Sequence, residues 1–204
     1  MIRAMQPTTP ILDLPGKRPV LVFASYRTGS TALCDVIARR NGLLNFDEGL
    51  HPGAHPALVA RKQRFLAFLK TGDPRFVLKL MPDHITAEYR PLVEQLAKVA
   101  FLVRITRRSV VEQVASYYLA STSGIWHETA RSPQRDYDIP LDAARLLAAR
   151  DHILRTNRDL AALDHAYGLD LVHEDLMLDS QFTVYRKPRN HQALLDALAG
   201  LMAP

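Results

Sequence analysis

The chain has 204 residues, 48% hydrophobic and 23% charged, with a formal net charge of +5. That length serves one domain with a substantial core and is too short for two of ordinary size, and the composition is that of a globular protein. The single cysteine, Cys34, excludes a disulfide framework and a zinc cluster. The positive charge suits a polyanionic ligand, but the arginines are scattered or paired rather than run together, so no nucleic-acid partner is expected.

Residues 1–18 read as a polar, proline-marked lead-in to a domain spanning 19–204. Nothing in them is apolar enough for a signal peptide or anchor, so a cytoplasmic protein without stable membrane insertion is expected. "PVLVFASY" (19–26) is a short continuous apolar run, the pattern of a strand buried on both faces of a parallel sheet. "STALCDVIARRNG" (30–42) follows as a helix with Ser30 or Thr31 in its first turn, Gly42 at its end and Cys34 as a small core residue. "LLNFDEGLHPGAHP" (43–56) reads as a loop, and "ALVARKQRFLAFLKTG" (57–72) as an amphipathic helix. "RFVLKLMP" (75–82) is a second buried strand, "ITAEYRPLVEQLAK" (85–98) a helix, and "VAFLVRIT" (99–106) a third strand. "RSVVEQVASYYLAST" (108–122) is helical, and the polar connection 123–140 is the natural place for a lid or substrate loop. The best helical periodicity runs over 141–168, followed over 169–176 by a strand running into a turn, a basic loop over 181–190 and a helix over 191–202. Strands alternating with helices predict an α/β fold: a single three-layer, P-loop-like domain with a central parallel sheet flanked by helices.

Ligands of open parallel sheets collect beyond the carboxyl ends of the strands. After the first strand, Arg27, Thr28, Gly29, Ser30 and Thr31 lead into a helix. Backbone N–H groups at a helix start bind an anion, the glycine permits close approach, the hydroxyls donate, and an arginine can fork onto two oxygens. The bland reading is a capped helix with a surface arginine. After the third strand come Arg107 and Arg108, and Ser116 lies about two turns along the next helix. An arginine and a serine converging there could hold a second phosphate; alone, the pair reads more readily as a solvated arginine and a helix-interior serine.

Together, in this order and spacing, the two stretches resemble the sulfotransferases that use 3′-phosphoadenosine 5′-phosphosulfate, specifically the small bacterial carbohydrate type (trehalose- and nodulation-type). That family has a 5′-phosphosulfate loop of the form (R/K)-(S/T)-G-(S/T)-T, matched by Arg27–Thr31. It also has a 3′-phosphate motif with an arginine eight residues before a serine, matched by Arg108 and Ser116, with Arg107 beside them. Gln113, Gly124, Trp126 and His127 fit the bacterial pattern, while Ser109 stands where aspartate is usual and Val114 where alanine is usual. "FVLKLMPDH" and "LVHEDL" are similar to family segments, so the resemblance covers roughly Val20 to Asp179.

The resemblance implies a sulfotransferase that takes 3′-phosphoadenosine 5′-phosphosulfate, leaves adenosine 3′,5′-bisphosphate, needs no metal, and modifies a hydroxyl of a carbohydrate or glycolipid acceptor. It makes Arg27 the cation on the leaving oxygen, with Lys79 as a weaker candidate that reads equally as an ordinary strand-end lysine. It places the general base in the loop after the first helix, where Glu48 is the choice and His51 the runner-up, although the family's proline pattern is missing there. Trp126 could stack on a ring or pin its loop. Arg186 and Lys187 sit where the family has a basic loop over the 3′-phosphate, but Pro188 replaces its glycine. Glu174, Asp175 and His173 read as braces of a turn. Two rivals remain: a P-loop phosphoryl-transferring kinase, which lacks here its loop lysine and magnesium-holding aspartate, and a non-catalytic nucleotide-binding protein of the same fold. The acceptor side of so short a chain could be open, trimmed or completed by a partner subunit, and a homo-oligomer is compatible with the reading.

Overall fold

In the computed structural model the described residues are 14, 18–126, 138–176 and 187–202. The apolar runs form β1 (Val20–Ala24), β3 (Phe76–Leu80), β4 (Phe101–Thr106) and β5 (Leu169–Val172), and β2 (Leu44–Asn45) joins them. All pair in parallel, in the order β2-β3-β1-β4-β5. Each residue of β1 and β3 is buried, as a strand covered on both faces requires. Their side chains alternate between layers. Val20, Val22 and Ala24 pack with Leu33, Val36 and Ile37 of α1 (Ser30–Asn41). Leu21 and Phe23 pack with Phe65 of α2 (Pro56–Leu69), Val93 of α3 (Arg90–Ala97) and Leu160 of α5 (Ala143–Ala161). A third cluster joins α4 (Val110–Ser123), α5 and α6 (His191–Met202) through Tyr118, Leu119, Ile153 and Leu198. The fold is α/β in three layers around one parallel sheet. Cys34 is buried among the sheet-facing residues of α1. Among the described residues no helix is long and apolar enough to cross a membrane.

Three elements differ from their sequence expectation. The loop 43–56 contains β2, whose Leu44 N–H and the following Phe46 N–H donate to Arg75 and Val77 carbonyls at 3.0 Å. Two exposed residues carry no periodicity to detect. Helix α3 starts at Arg90, not at 85, because Thr86–Tyr89 close a turn and Pro91, which has no N–H, fits a first helical turn. Helix α5 stops at Ala161, although apolar residues continue to Tyr167. Beyond it Leu163 and Tyr167 still pack on the core, and Phe23 lies 5.0 Å from the His165 ring and 5.8 Å from that of Tyr167. Leu14 also packs on the core, its N–H donating to Asn41 Oδ1 at 3.0 Å, so the lead-in touches the domain at this residue.

Candidate functional site

In the order β2-β3-β1-β4-β5 the chain leaves β1 toward β3 on one side and β4 on the other, and this reversal opens a crevice at the carboxyl edge. The register brings Ala24 level with Ile105, and Phe23 level with Leu80, so the loops after β1, β3 and β4 emerge side by side.

The loop after β1 turns through two left-handed residues, Arg27 (φ 61°) and Gly29 (φ 78°). Arginine in that region is strained, whereas glycine is not. At Gly29 a β-carbon would also lie 2.5 Å from Nδ1 of His173, so a ring from the end of β5 closes over the turn. Gly29 starts α1 with no side chain capping it, and the first turn carries no acidic residue. The helix therefore presents backbone N–H groups and its positive dipole end at the crevice. Thr28 and Ser30 are buried, the Thr28 hydroxyl donating to the Ser25 carbonyl at 3.0 Å. Arg27 Nε donates to Ser116 Oγ at 2.9 Å, Nη1 donates to the Trp126 carbonyl, and the Arg27 carbonyl accepts from Arg107 Nη1 at 3.1 Å. Beneath them lies a polar knot missed by sequence reasoning. Gln113 Nε2 donates to Ser25 Oγ (2.7 Å) and the Tyr26 carbonyl (2.6 Å), and Asn157 Nδ2 donates to Gln113 Oε1 (3.0 Å). Ser25 and Gln113 are fully buried, and the knot fixes the loop to α4 and α5.

On the β3 side, Lys79 is fully buried, its Nζ donating to Thr31 Oγ1 at 2.7 Å and lying 2.8 Å from Asp47 Oδ1 and 2.9 Å from Glu48 Oε1 as an ion pair with both carboxylates. Burial alone would depress its pKa, but the two carboxylates outweigh that and raise it. Lys79 is thus a permanent cation that anchors Thr31 and the β2–α2 loop. Burial raises the Glu48 carboxyl, and the Lys79 ammonium more than reverses this, leaving its pKa below the usual carboxylate value. Arg61 holds Asp47 Oδ2 at 2.9 Å, and Asp47 itself sits at φ 44°.

Glu48, His51 and His84 each bring a potential ligand atom within 4.8 Å of the others. His84 is fully buried, and burial pulls its pKa down from 6.5 to about 4, leaving it neutral. The outer nitrogens decide what the trio can hold. Metal-bound histidines donate the other ring N–H to an acceptor. Here His51 Nδ1 accepts from Gly53 N–H at 2.8 Å and His84 Nδ1 from Met81 N–H at 3.5 Å. Each ring proton therefore sits on Nε2, and the trio offers two N–H donors beside a carboxylate rather than lone pairs for a cation. His51 Nε2 lies 4.0 Å from Glu48 Oε2, and His84 Nε2 is buried without a partner among the described residues.

The β4–α4 junction differs most from the sequence expectation. Ser116 faces Arg27, while the exposed Arg108 donates from Nη2 to both Asp175 oxygens at 2.7 and 2.8 Å. The carboxylate of Glu174 accepts from Arg108 N–H (2.9 Å) and Ser109 N–H (3.0 Å). Burial raises the Glu174 pKa, and those two N–H groups pull it below the ordinary value. No hydrogen bond joins Arg108 to Ser116 among the described residues; protein carboxylates stand where a phosphate was expected, and braces at 173–175 do what their sequence suggested. Arg107 Nε lies 3.6 Å from Glu174 Oε1. Lys187 Nζ is 4.0 Å from Glu112 Oε1, and Arg186 and His127 lie outside the described residues. Trp126 is 38% exposed, its ring lies 5.6 Å from that of Tyr117, and its carbonyl holds Arg27. Sequence reasoning gave no role to His84, Asn157 or Asp83, although the first and last lie in the segment "FVLKLMPDH"; Asp83, which accepts from Tyr26 Oη at 2.6 Å, meets the loop after β1 only in space. No protein-family model and no curated protein sequence matches this chain.

Proposed function

We propose that the chain is a sulfotransferase that takes its sulfuryl group from 3′-phosphoadenosine 5′-phosphosulfate and delivers it to a hydroxyl of a carbohydrate or glycolipid. The observation that carries the reading is the pairing at one crevice of an arginine-led, uncapped helix start with an ionised carboxylate beside two N–H donors. The donor nucleotide supplies a sulfur atom whose bridging oxygen gains charge as the bond to it breaks. The N–H groups of Gly29–Thr31 and the hydroxyls of Ser30 and Thr31 suit its 5′ end. Arg27 stands at the same turn, where a cation stabilises the departing oxygen more than the ground state. Glu48 accepts the proton of the attacking hydroxyl, and Nε2–H of His51 orients the oxygen. Pairing with Lys79 keeps Glu48 ionised at some loss of basicity.

Arg108 and Ser116 remain the proposed 3′-phosphate contacts. For this a phosphate must displace Asp175 from Arg108 and draw Ser116 from Arg27. A phosphoryl-transferring kinase draws no support from Lys79, whose charge is already paired with Asp47 and Glu48.

Thermal unfolding tests the cofactor. A ligand at about a hundred times its Kd stabilises the native state by about 2.7 kcal/mol. Adenosine 3′,5′-bisphosphate is expected to raise Tm selectively over ATP with magnesium and over adenosine 5′-phosphate. Arg108→Ala is expected to weaken the bisphosphate by about tenfold, a charge-assisted contact, and to spare adenosine 5′-phosphate. A shift with magnesium-ATP alone, or equal loss of both adenosine ligands, rejects the proposal. Bisphosphate binding without sulfuryl transfer to any hydroxyl would leave the non-catalytic binder.

A further inference from the structure

Beside the crevice, an open cleft of about 320 Å³ lies between the turn after β3 and helix α5. Its polar lining is Asp83, Arg90, His152, Arg155, Thr156 and Asp159. A volume near the lower end of small-molecule sites holds about one sugar ring. The cleft is joined to the site through Asp83, whose carboxylate accepts from Tyr26 beside Arg27, and whose chain neighbour is His84. On the α5 side the His152 ring stacks on Tyr117 at 4.7 Å and lies 4.9 Å from Tyr26.

The charges have a definite pattern. Arg155 Nη2 lies 3.0 Å from His152 Nδ1, which must accept because arginine only donates. That contact aims the guanidinium without neutralising it. No carboxylate pairs with Arg90 or Arg155 among the described residues. Asp83 is engaged by a neutral phenol, and Asp159 lies 3.8 Å from Arg158. An apolar ligand would strip water from four charged side chains for nothing in return. A bare anion would meet Asp83 and Asp159 as well as the arginines. A polyol with one acidic group satisfies both halves, since carboxylates accept from hydroxyls and guanidinium groups fork onto carboxylate or phosphate oxygens.

We infer that this cleft is the acceptor subsite, and that the acceptor is a sugar carrying a carboxylate or a phosphate, held at that group by Arg90 and Arg155. Its role as acceptor rests on the sulfuryl-transfer reading; its binding does not. The test is a calorimetric and NMR titration of the full chain, without nucleotide, using methyl glucuronide, glucose 6-phosphate, methyl glucoside and inorganic phosphate. At least one acidic sugar is expected to bind about tenfold tighter than methyl glucoside and than phosphate. Tight binding of the glucuronide alone identifies a carboxylate, and of the sugar phosphate alone a phosphate. In wild type the amide shifts are expected at Ile85, Thr156 and Ala162, a readout that needs no variant. Combined Arg90→Gln and Arg155→Gln is expected to abolish the preference while leaving Tm and adenosine 3′,5′-bisphosphate binding unchanged. Equal binding of acidic and neutral sugar, phosphate as tight as its sugar ester, or shifts away from the cleft overturns the inference. Loss of the bisphosphate response with the sugar preference intact defeats only the sulfuryl-transfer reading, and the reverse result defeats only the subsite.

Discussion

Lys79 shows how far one residue's meaning depends on its neighbours. In sequence it is the polar member of an apolar strand; in the fold it is a buried cation between Asp47 and Glu48. Breaking a buried ion pair by removing one partner costs about 3–5 kcal/mol, because the other charge stays behind without compensation. Lys79→Met is therefore expected to destabilise the protein by about that amount at neutral pH, measured by urea unfolding. The sign of its pH dependence follows. Without the ammonium, burial lifts the Glu48 carboxyl above its unfolded value, so the variant binds more protons folded than unfolded and recovers stability as pH falls. A loss of the same size at pH 5 and pH 7 would mean that Lys79 contributes through packing instead. The neighbouring Glu48 and His51 could be named from the sequence as candidates, but their division of labour could not. It depends on which atom faces Gly53 N–H and which faces Lys79.

At the scale of elements, helix starts set the site, and the two that meet the sheet edge are treated oppositely. Helix α1 begins uncapped at Gly29, whereas α4 begins under Ser109, whose Oγ accepts from Glu112 N–H at 3.3 Å, and under the Glu174 carboxylate. One start is open to a ligand and the other is braced by the end of β5. Glu174→Gln leaves one oxygen to serve two backbone donors and removes a charge that favours the helix dipole. The expected cost is about 1 kcal/mol, with faster amide hydrogen exchange at Arg108 and Ser109. Unchanged exchange there would show that the brace does not hold the helix start. The glycine-hydroxyl turn of α1 and the helix–strand alternation were legible because each rests on local chemistry. Strand β2, the late start of α3 and the early end of α5 were not, since strand length and helix ends there answer to packing.

Across the whole molecule, buried imidazoles give folding a common pH dependence. The unfolded chain protonates His84 near pH 6.5 and the folded one near 4, with burial the main cause. Between those values the unfolded state holds more protons, so stability rises with pH, by an amount on the order of 3 kcal/mol from this residue. Burial lowers His152, His173 and His191 as well, adding slope of the same sign. Denaturant midpoints between pH 4 and 6.5 are expected to climb, and His84→Gln to flatten part of the climb; an unaltered slope would place the titration elsewhere. The sequence by itself determined the α/β class, four of the five strands and the arginine-led glycine-hydroxyl turn, because burial periodicity and turn chemistry act over a few residues. Only the tertiary structure decided that Ser116 meets Arg27 rather than Arg108, that Lys79 is spent on Asp47, Glu48 and Thr31, and that His84 completes a trio with residues more than thirty positions away. Those pairings are set by strand order and register, which bring distant loops to one edge, and no local pattern in the chain encodes them.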